Sequence, residues 1–337
     1  MVSEPIASLI LALIAVTTSA WLTGRVRAYA LARQLLDVPN VRSSHSTPTP
    51  RGGGVAIVIA VLLVLVVGVA LKVMDWRLAV ALGGGGLLIA LVGWWDDHKG
   101  LRPRVRAAGH AVAGIWALYW LGGYPQLRLG DFVVALGPAG YVLALVGIIW
   151  SVNLFNFMDG IDGIAGVEAV TVGTGGALLL WAAGLSDGAS ASLAIAAAAL
   201  GFLFWNWAPA RIFMGDAGSG FLGFSFAVLA IWSENSHGPP VVLWGVLAMV
   251  FVFDATVTLI RRALRHEALA QAHRSHAYQR LVQAGKSHAV VTGSVLGINL
   301  LLILLVVSPG MGPVPVLGMA LAVCGGAYLI VEILRPM

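Results

Sequence analysis

Two asparagines and two aspartates stand close together in the stretch SVNLFNFMDGIDGIAG, residues 151–166, directly after an apolar run. Asn156, Asp159 and Asp162 are spaced by three, so in a helix they would share one stripe. A glycine follows each aspartate, which allows a ligand or another backbone to approach closely. A carboxylate at membrane depth is costly unless water or a cation accompanies it, so this stretch predicts a polar site.

Three more carboxylates stand where other apolar runs end. Asp96 and Asp97 are adjacent in GWWDDHKGLRPRVR, and Asp216 lies in FNWAPARIFMGDAGSG. With Asp159 and Asp162 they make five acids, accompanied by few histidines and no cysteine. Such a donor set favours Mg²⁺ or Mn²⁺ over Zn²⁺, and Mg²⁺ in proteins usually shares its coordination sphere with the phosphates of a substrate.

Basic side chains that suit phosphate groups lie in two other polar segments. His45 and Arg51 belong to RSSHSTPTPRGGG, and His273, Arg274 and His276 belong to HRSHAYQRL. Histidine adds little charge at pH 7, so ordinary loop charge does not explain the histidines. Acids that hold a metal and bases that hold oxyanions together indicate phosphate chemistry.

The composition shows what kind of scaffold must position these residues. Of 337 residues, 59% are hydrophobic and 10% are charged, and the mean hydropathy is +0.91. Soluble domains carry about 25% charged residues, so lipid must be the main solvent of this chain. The single cysteine, Cys324, excludes an intrachain disulfide. The 20 basic residues outnumber the 15 acidic ones. They are concentrated in alternate loops between apolar runs, which is typical of a membrane protein and not of a nucleic-acid-binding surface.

About eleven apolar runs are long enough to cross a membrane, since a spanning helix needs roughly 20 apolar residues. The sequence therefore predicts an all-α integral membrane protein, a polytopic bundle of about 11 transmembrane helices in which residues 1–337 form a single domain. The runs lie at 6–24, 54–73, 77–95, 107–122, 138–153, 164–184, 189–207, 219–234, 240–260, 288–308 and 314–334.

The basic residues divide the loops into two faces. Of the 20 Lys and Arg residues, 17 fall in one set of alternate loops, and three, Lys72, Arg77 and Arg128, fall in the other. The positive-inside rule makes the first set cytoplasmic, so we expect the N-terminus outside and the C-terminus in the cytoplasm. Glu4 precedes the first run and Arg25 follows it, the reverse of a signal peptide, so we expect a retained first helix. All five acids then lie at cytoplasmic helix ends.

Three further features have simpler interpretations. GDAGSG looks like a phosphate-binding glycine loop, but no GK[ST] follows and no strand precedes it. Asp254, inside the ninth run, is interpreted as a structural partner for a basic residue. Glu168 is interpreted as an acid at the membrane interface.

Three motifs carry a resemblance to a known family. They are the paired acids at 96–97, the NxxNxxDGxDG pattern at 153–163 and GDAGS at 215–219. In this order, and at these helix ends, they resemble the polyprenyl-phosphate N-acetylhexosamine-1-phosphate transferases, which include the phospho-MurNAc-pentapeptide translocase of peptidoglycan synthesis. That translocase carries consecutive histidines in its last loop. HRSHAYQRL here looks like the enzymes that start O-antigen and other surface polysaccharides.

The resemblance implies a reaction and a role for each polar residue. A phosphate oxygen of undecaprenyl phosphate attacks the sugar-linked phosphorus of a UDP-N-acetylated hexosamine, UMP leaves, and Mg²⁺ (or Mn²⁺) spans the diphosphate. Asp216 is the expected metal ligand. Asp96, Asp97, Asp159 and Asp162 are the expected catalytic residues, and which of them acts as general base stays open. The expected substrate-binding residues are Asn153, Asn156, Arg211, His273, Arg274, His276, His45 and Arg51.

The implied setting is the bacterial cytoplasmic membrane, with undecaprenyl phosphate, a UDP-sugar and membrane lipid as partners, no nucleic acid, and a homodimer as an option. The identity of the sugar and the polysaccharide pathway stay open. An ion-coupled transporter is the alternative function, since intramembrane acids also mark transport pathways. Transporter sites usually lie near the midplane between inverted repeats, which this sequence does not show. A scaffold for an assembly complex is a third class, but it has no use for five acids at one face.

Overall fold

The computed structural model describes residues 4–38, 47–130, 132–268 and 273–335. These ranges contain thirteen helices and two short antiparallel strand pairs. The helices are α1 (Glu4–Ala32), α2 (Gly54–Ala70), α3 (Trp76–Lys99), α4 (Pro103–Leu121), α5 (Pro138–Met158), α6 (Ile164–Ala182), α7 (Ser186–Asn206), α8 (Asp216–Asn235), α9 (Val241–Leu247), α10 (Met249–Leu264), α11 (Ala277–Gln283), α12 (His288–Val307) and α13 (Pro313–Leu334). The strand pairs are β1 (Leu36–Asp37) with β2 (Thr49–Pro50), and β3 (Gln126–Leu129) with β4 (Phe132–Ala135).

Eight helices in the described ranges are long and apolar enough to cross a membrane, and nine if α9 and α10, which are bent by 84°, form one broken span. The chain is therefore a multi-pass helical membrane protein, as predicted. The expected count of about eleven spans is higher because it included α2 and α4. Helix α2 has only 17 residues, and Arg104 and Arg106 lie near the start of α4. Each predicted run still overlaps a helix or the α9–α10 pair.

Helix α8 lies at the centre of the bundle, where it packs against α2, α3 and α5. Glycines allow two of these contacts to be made backbone to backbone. Gly54, the first residue of α2, lies against Gly218 of α8. Gly93 of α3 lies against the peptide between Asp216 and Ala217, and a Cβ at Gly93 would come within 2.5 Å of the Asp216 carbonyl carbon. These contacts bring α2, α3 and the start of α8 together beside Asp216.

Glu168 of α6 lies inside the bundle and is completely buried. Its Oε2 accepts a hydrogen bond of 2.7 Å from Asn299 Nδ2 of α12, and the same amide group donates to Thr171 Oγ1 at 2.9 Å. The interpretation of Glu168 as an interfacial acid is wrong, because α6 packs against both α7 and α12 and is buried along most of its length.

Candidate active site

Arg51 is the centre of the polar cluster. Its Nη2 lies 2.8 Å from Asp97 Oδ1 and 2.7 Å from Asp216 Oδ1, so one guanidinium bridges two of the predicted acids. Asp97 lies in the last turn of α3, and Asp216 is the first residue of α8. Although burial acts in the opposite direction, the surrounding carboxylates, first those of Asp97 and Asp216, raise the pKa of Arg51.

A short backbone ladder fixes the position of Arg51. The residues before α2 pair with those before α8: the N–H of Phe213 donates to the carbonyl of Pro50 at 2.8 Å, and the N–H of Gly53 donates to the carbonyl of Phe213 at 2.9 Å. Arg51 lies inside this ladder. Its guanidinium is therefore held beside Asp216, although the two residues are far apart in the sequence.

Asp97 also satisfies the first backbone N–H of α8. The N–H of Asp216 donates to both carboxylate oxygens of Asp97, at 3.1 and 3.0 Å, and a helix N-terminus favours a negative charge. Gly215 has a φ of 78°, and a Cβ there would lie 2.6 Å from Asp97 Oδ2. Glycine satisfies both constraints, which explains the first residue of the GDAGS motif.

Asp96 makes contacts of its own. Its Oδ1 accepts a hydrogen bond of 2.5 Å from the N–H of Leu101, and its Oδ2 accepts one of 2.8 Å from Arg106 Nη1. The two adjacent acids therefore pair with different arginines, Asp97 with Arg51 and Asp96 with Arg106. A small recess beside Asp96 is lined by polar residues of four helices, namely Asp96, Arg106, His110, Asn153, Asn156 and Asp216.

The NxxNxxDGxDG motif crosses the end of α5. Asn156 lies in the last turn of the helix, whereas Asp159 and Asp162 lie in the turn before α6. The three residues do not form a single helical stripe, because Asp159 leaves the helical conformation at φ −87° and ψ 55°. At the next residue, Gly160, a Cβ would collide with the hydroxyl of Tyr278. Asn156, Asp159 and Asp162 nevertheless line the same cavity.

This polar cavity has a volume of about 280 Å³ and lies where the motif-bearing helix ends meet. Its wall includes the predicted residues Arg51, Asn156, Asp159, Asp162 and Asp216. It also includes polar residues that were not among the predicted site residues, namely Asp37, Asn206, Ser219, Gln279 and His288.

The carboxyl group of Asp159 has a raised pKa. Burial raises the pKa of Asp159 to about 7, and the carboxylates of Asp216, Asp97 and Asp162 add to the rise, against the attraction of Arg51. Near neutral pH Asp159 is therefore partly protonated, and a cation in the cavity would favour its ionised form.

Asp162 is tied to the protein by several contacts. Its Oδ2 accepts a hydrogen bond of 3.0 Å from the N–H of Ala210, and its Oδ1 lies 3.2 Å from His288 Nδ1. Its carbonyl accepts a hydrogen bond of 2.8 Å from Thr292 Oγ1. Asp162 thus joins the turn after α5 to the first turns of α12. His288 stands in no motif, and Gln279 lies in HRSHAYQRL but was not among the predicted site residues, so only the tertiary contacts reveal the two as wall residues.

The segment HRSH lies beside the cavity without lining it. His276 is buried at the start of α11, with Nδ1 3.4 Å from Asp254 Oδ1. His273 bonds to Ser275 Oγ at 2.8 Å, and burial, with the nearby His276 and the guanidinium of Arg262, lowers the pKa of His273 to about 4. The carbonyl of Arg274 accepts a hydrogen bond of 2.9 Å from Gln283 Nε2. The segment reaches the cavity wall through Gln279 of α11.

Arg211 and Asn153, two further predicted substrate-binding residues, lie outside the wall of the polar cavity. Arg211 lies with its guanidinium over the ring of Trp205, 6.0 Å from the centroid, outside the cavity wall. Asn153 lines the recess, and its Nδ2 donates to the carbonyl of Ile149 at 2.7 Å. His45 lies outside the described residues.

Comparison with known proteins connects this site to a family. A family model described as glycosyl transferase family 4 matches residues 78–234. A Bacillus subtilis (strain 168) protein named as a probable undecaprenyl-phosphate N-acetylglucosaminyl 1-phosphate transferase is 30% identical over 286 residues, which cover 79% of this chain and 75% of that protein. The chain belongs to glycosyl transferase family 4.

Other relatives of this family 4 transferase carry similar names. An undecaprenyl-phosphate alpha-N-acetylglucosaminyl 1-phosphate transferase of Yersinia pestis is 28% identical over 271 residues, covering 77% of this chain and 72% of that protein. A decaprenyl-phosphate N-acetylglucosaminephosphotransferase of Mycobacterium tuberculosis is 28% identical over 305 residues, covering 79% of this chain and 73% of that protein.

The matched region of the transferase contains the acids at 96–97, the motif at 153–163 and Asp216. Arg51, Gln279 and His288 lie outside it. The cavity wall is therefore built from the matched region together with segments before and after it.

The polar cavity of this family 4 transferase fits a divalent cation. A single guanidinium, that of Arg51, interacts electrostatically with four carboxylates, those of Asp37, Asp97, Asp159 and Asp216. The carboxylates around this guanidinium therefore outnumber it. Carboxylate oxygens are the donors that Mg²⁺ prefers. Within the described ranges, no three His, Cys, Asp or Glu side chains are already grouped as metal ligands. Asp97 and Asp216 would therefore have to exchange contacts with Arg51 for contacts with the ion.

Proposed function

We propose that this transferase moves an N-acetylhexosamine 1-phosphate, with N-acetylglucosamine as the first candidate, from a UDP-sugar to undecaprenyl phosphate and releases UMP. The names of the relatives and the three sequence motifs support this reaction class. The product would be the first lipid-linked intermediate of a surface polysaccharide.

The observation that carries the proposal is that the recess beside Asp96 shares wall residues with both the polar cavity and an apolar groove. The groove lies between α5 and α10, has a volume of about 720 Å³, and is apolar along its described wall except at Asn153 and Thr256. Asn153 also lines the recess beside Arg106, and Asn156 and Asp216 line both that recess and the polar cavity. A prenyl chain suits the groove, and a nucleoside diphosphate suits the cavity.

The charged residues suit the two phosphate-bearing substrates. Asp97, Asp159 and Asp216 would hold Mg²⁺, with Mn²⁺ as an alternative, and the ion would neutralise charge on the donor's diphosphate. Arg51 offers a guanidinium to the donor's phosphates, and Arg106 offers one to the acceptor's phosphate. His273, Arg274 and His276 do not line the cavity, so they would influence donor binding indirectly, by positioning α11 and its wall residue Gln279.

The chemical step needs one phosphorus–oxygen bond to form and one to break. An oxygen of the acceptor phosphate bonds to the sugar-linked phosphorus, and the bond from that phosphorus to the oxygen retained by UMP breaks. A phosphate monoester has a second pKa of about 6, so a small fraction of the acceptor carries a proton at neutral pH. The demand on a general base is therefore small, and which of the cavity's carboxylates meets it stays open.

We further propose that the site faces the cytoplasm of a bacterial cell, with the N-terminus outside and the C-terminus inside. The uneven distribution of Lys and Arg supports this orientation. The donor, a soluble nucleotide-sugar, would reach the cavity from the cytosol, and the acceptor would arrive through the bilayer.

The purified protein tests the proposal in phospholipid nanodiscs that contain undecaprenyl phosphate. With UDP-N-acetylglucosamine and Mg²⁺ we expect UMP release that requires the lipid, stops with EDTA and returns with excess Mg²⁺. Asp216→Asn should lower the rate by about a hundredfold or more, because a charge that stabilises the transferring group is lost. Asp187→Asn, in the first turn of α7, is the control and should keep the wild-type rate.

Two results would contradict the proposal. One is substantial turnover of Asp216→Asn at saturating Mg²⁺. The other is movement of a solute into sealed vesicles with no UMP formed, which would favour a transporter. A panel of UDP-N-acetylhexosamines then identifies the sugar, since one or two contacts of about 1–3 kcal/mol each decide between epimers.

A further inference from the structure

A second apolar cleft lies between α12 and α13, with α10 and α11 at its base, and we call it the α12–α13 cleft. Its volume is about 450 Å³. Among the described residues, it shares no wall residue with the polar cavity, the recess or the α5–α10 groove. Two apolar stripes face each other across it, formed by Val291, Val295 and Ile298 of α12 and by Cys324, Tyr328 and Val331 of α13.

The α12–α13 cleft is closed at its base and open at its rim. At the base, Cys324 and Tyr278 are 5% and 3% exposed, whereas Val290 and Ile330 on the rim are 56% and 59% exposed. Because α12 and α13 are long and apolar enough to span the membrane, an opening on their outer surfaces faces the hydrocarbon of the bilayer. A hydrocarbon chain is therefore a better occupant than water, which needs polar partners.

Two cations mark one end of this cleft. Lys286 belongs to its wall, is exposed, and directly precedes the N-cap residue of α12. Arg335 follows Leu334, another wall residue, and its Nη1 donates to the carbonyl of Gln283 at 3.4 Å. Both cations lie near the start of α12. His288, the first residue of α12, lines the polar cavity, so the two cations and the polar cavity lie at the same end of the bundle.

We propose that the α12–α13 cleft binds an acyl chain of an anionic bilayer phospholipid, whose phosphate pairs with Lys286 and Arg335. The apolar walls recognise the chain, and the two cations select a negative headgroup at the membrane surface. The undecaprenyl acceptor is the less suitable occupant, because this cleft shares no wall residue with the recess that Asp96 and Asp216 line, whereas the α5–α10 groove shares Asn153 with that recess.

An occupied cleft would also support the reaction cavity. Tyr278 lies at the base of the cleft, and its hydroxyl donates to the carbonyl of Phe157 at 3.1 Å, next to the turn that holds Asp159. Its neighbour Gln279 lies on the cavity wall. The lipid would thus hold α11 against the cavity, and this part of the inference rests on the proposed function.

Native mass spectrometry of the full-length protein tests the binding without any need for catalysis. The protein is released from nanodiscs made of phosphatidylcholine mixed with phosphatidylglycerol, and the retained lipids are counted. We expect one phosphatidylglycerol to be retained in preference to phosphatidylcholine. Lys286→Ala should lower that preference by about fivefold, the contribution of one basic residue near an anionic surface. Ser294→Trp, at an exposed wall position, should block the cleft and remove the retained lipid.

Matched variants separate this site from general lipid attraction. Lys72→Ala changes an exposed lysine in the loop before α3 and should leave the preference unchanged. Equal retention in wild type, Lys286→Ala and Ser294→Trp would overturn the proposal. Displacement of the retained phosphatidylglycerol by equimolar undecaprenyl phosphate would also overturn it, since the cleft would then be the acceptor's site.

UMP release in the same nanodiscs tests the support of α11. We expect turnover to rise with the phosphatidylglycerol fraction in wild type and to be insensitive to it in Ser294→Trp. Asp216→Asn should retain the phospholipid although it is inactive, so a failure of the proposed function is distinguishable from a failure of the lipid site. Lipid retention with no effect on turnover in wild type would refute the supporting role of the lipid.

Discussion

The charges of the polar cavity are unbalanced at the level of single residues. One guanidinium, that of Arg51, lies 2.8 Å from Asp97 and 2.7 Å from Asp216, while Asp159 and Asp37 add two further carboxylates to its surroundings. A protein normally pairs or neutralises carboxylates that are withdrawn from water. The arrangement therefore costs stability in the absence of a cation, and a cation bound there would recover it.

Asp159→Asn should flatten the dependence of stability on pH. The pKa of Asp159 is raised to about 7 in the folded protein, against about 3.9 in an unfolded chain. The folded state therefore holds an extra proton between these values. The stability from this proton is fully present below about pH 4 and is lost as the pH rises through about 7.

Thermal unfolding in detergent with EDTA measures this effect. Between about pH 5 and about pH 8, the Tm of wild type should fall more than that of Asp159→Asn, by about 2 °C or more. Mg²⁺ should raise the wild-type Tm at the higher pH and should raise that of the variant less. Parallel curves for the two proteins would mean that Asp159 is already ionised at the lower pH.

The sequence identified most of the carboxylates of the site, but it did not identify the residues with which they form ion pairs and hydrogen bonds. Asp97, Asp159 and Asp216 were found because carboxylates after apolar runs are rare and need a reason. The pairing of Arg51 with Asp97 and Asp216 depends on the backbone ladder to Phe213, which joins segments distant in sequence. No local pattern contains that information.

At the level of helices and turns, Asp254 positions α11. Its Oδ1 accepts hydrogen bonds from the N–H of Ala277 at 2.9 Å and from Thr258 Oγ1 at 3.1 Å, and it lies 3.4 Å from His276 Nδ1. Asp254 of α10 thus accepts the first N–H groups of α11, while the N-cap N–H of His276 donates to Gln279 Oε1. The interpretation of Asp254 as a structural partner agrees with these contacts.

Asp254→Ala should loosen α11 and reduce donor use. Loss of a helix cap costs about 1 kcal/mol, which corresponds to roughly a fivefold fall in kcat/KM if Gln279 must be in place. Steady-state kinetics with varied UDP-sugar measures the fall. Asp254→Asn keeps an acceptor oxygen for Ala277 and should restore most of the activity. Equal loss in both variants would assign Asp254 a role that requires its charge.

Gly93→Ala should separate α3 from the start of α8. The added Cβ would come within 2.5 Å of the Asp216 carbonyl carbon, so the helices must move apart and Asp97 must lose its contact with the N–H of Asp216. We expect a fall of about tenfold or more in UMP release, since small displacements of reacting groups are costly. Gly326→Ala on α13 is the control, because nothing lies within 4 Å of a Cβ there. An active Gly93→Ala variant would show that the bundle can absorb the added methyl group.

Apolar runs predicted the helices well and their ends less well. The run at 240–260 gave one span, whereas α9 and α10 meet at 84°. A bend is set by neighbouring helices, and hydropathy alone does not describe it. Asn156, Asp159 and Asp162 do not share a helical stripe, since α5 ends at Met158. A spacing of three residues is equally compatible with a helix and with a turn, so the spacing did not decide between them.

At the level of the whole molecule, the orientation in the membrane is testable by labelling. In a Cys324→Ser background, single cysteines are placed at Lys99, the last residue of α3, and at Ser236, which directly follows α8. A membrane-impermeant maleimide should label Ser236→Cys in intact cells and Lys99→Cys only in inverted vesicles. The physical reason is the retention of basic loops on the cytoplasmic side. The opposite pattern would place the polar cavity outside the cell and remove its access to nucleotide-sugars.

The sequence described the architecture of the molecule more completely than its surface features. Composition identified a membrane protein, because 59% hydrophobic residues cannot be buried in one aqueous core. The α5–α10 groove and the α12–α13 cleft were not predicted. Both are gaps between helices whose residues look like any lipid-facing stripe, such as Val291 and Val295, and gaps depend on how far apart the helices lie.

The α5–α10 groove opens sideways, since Val146, Phe157 and Ile260 on its wall are each about half exposed. An acceptor that enters there never has to leave the bilayer, so its encounters with the enzyme occur in two dimensions. The rate should then follow the mole fraction of acceptor among the surrounding lipids and not its amount per volume of buffer. Diluting the acceptor with inert phospholipid at constant total acceptor should slow the enzyme, and diluting with buffer should not.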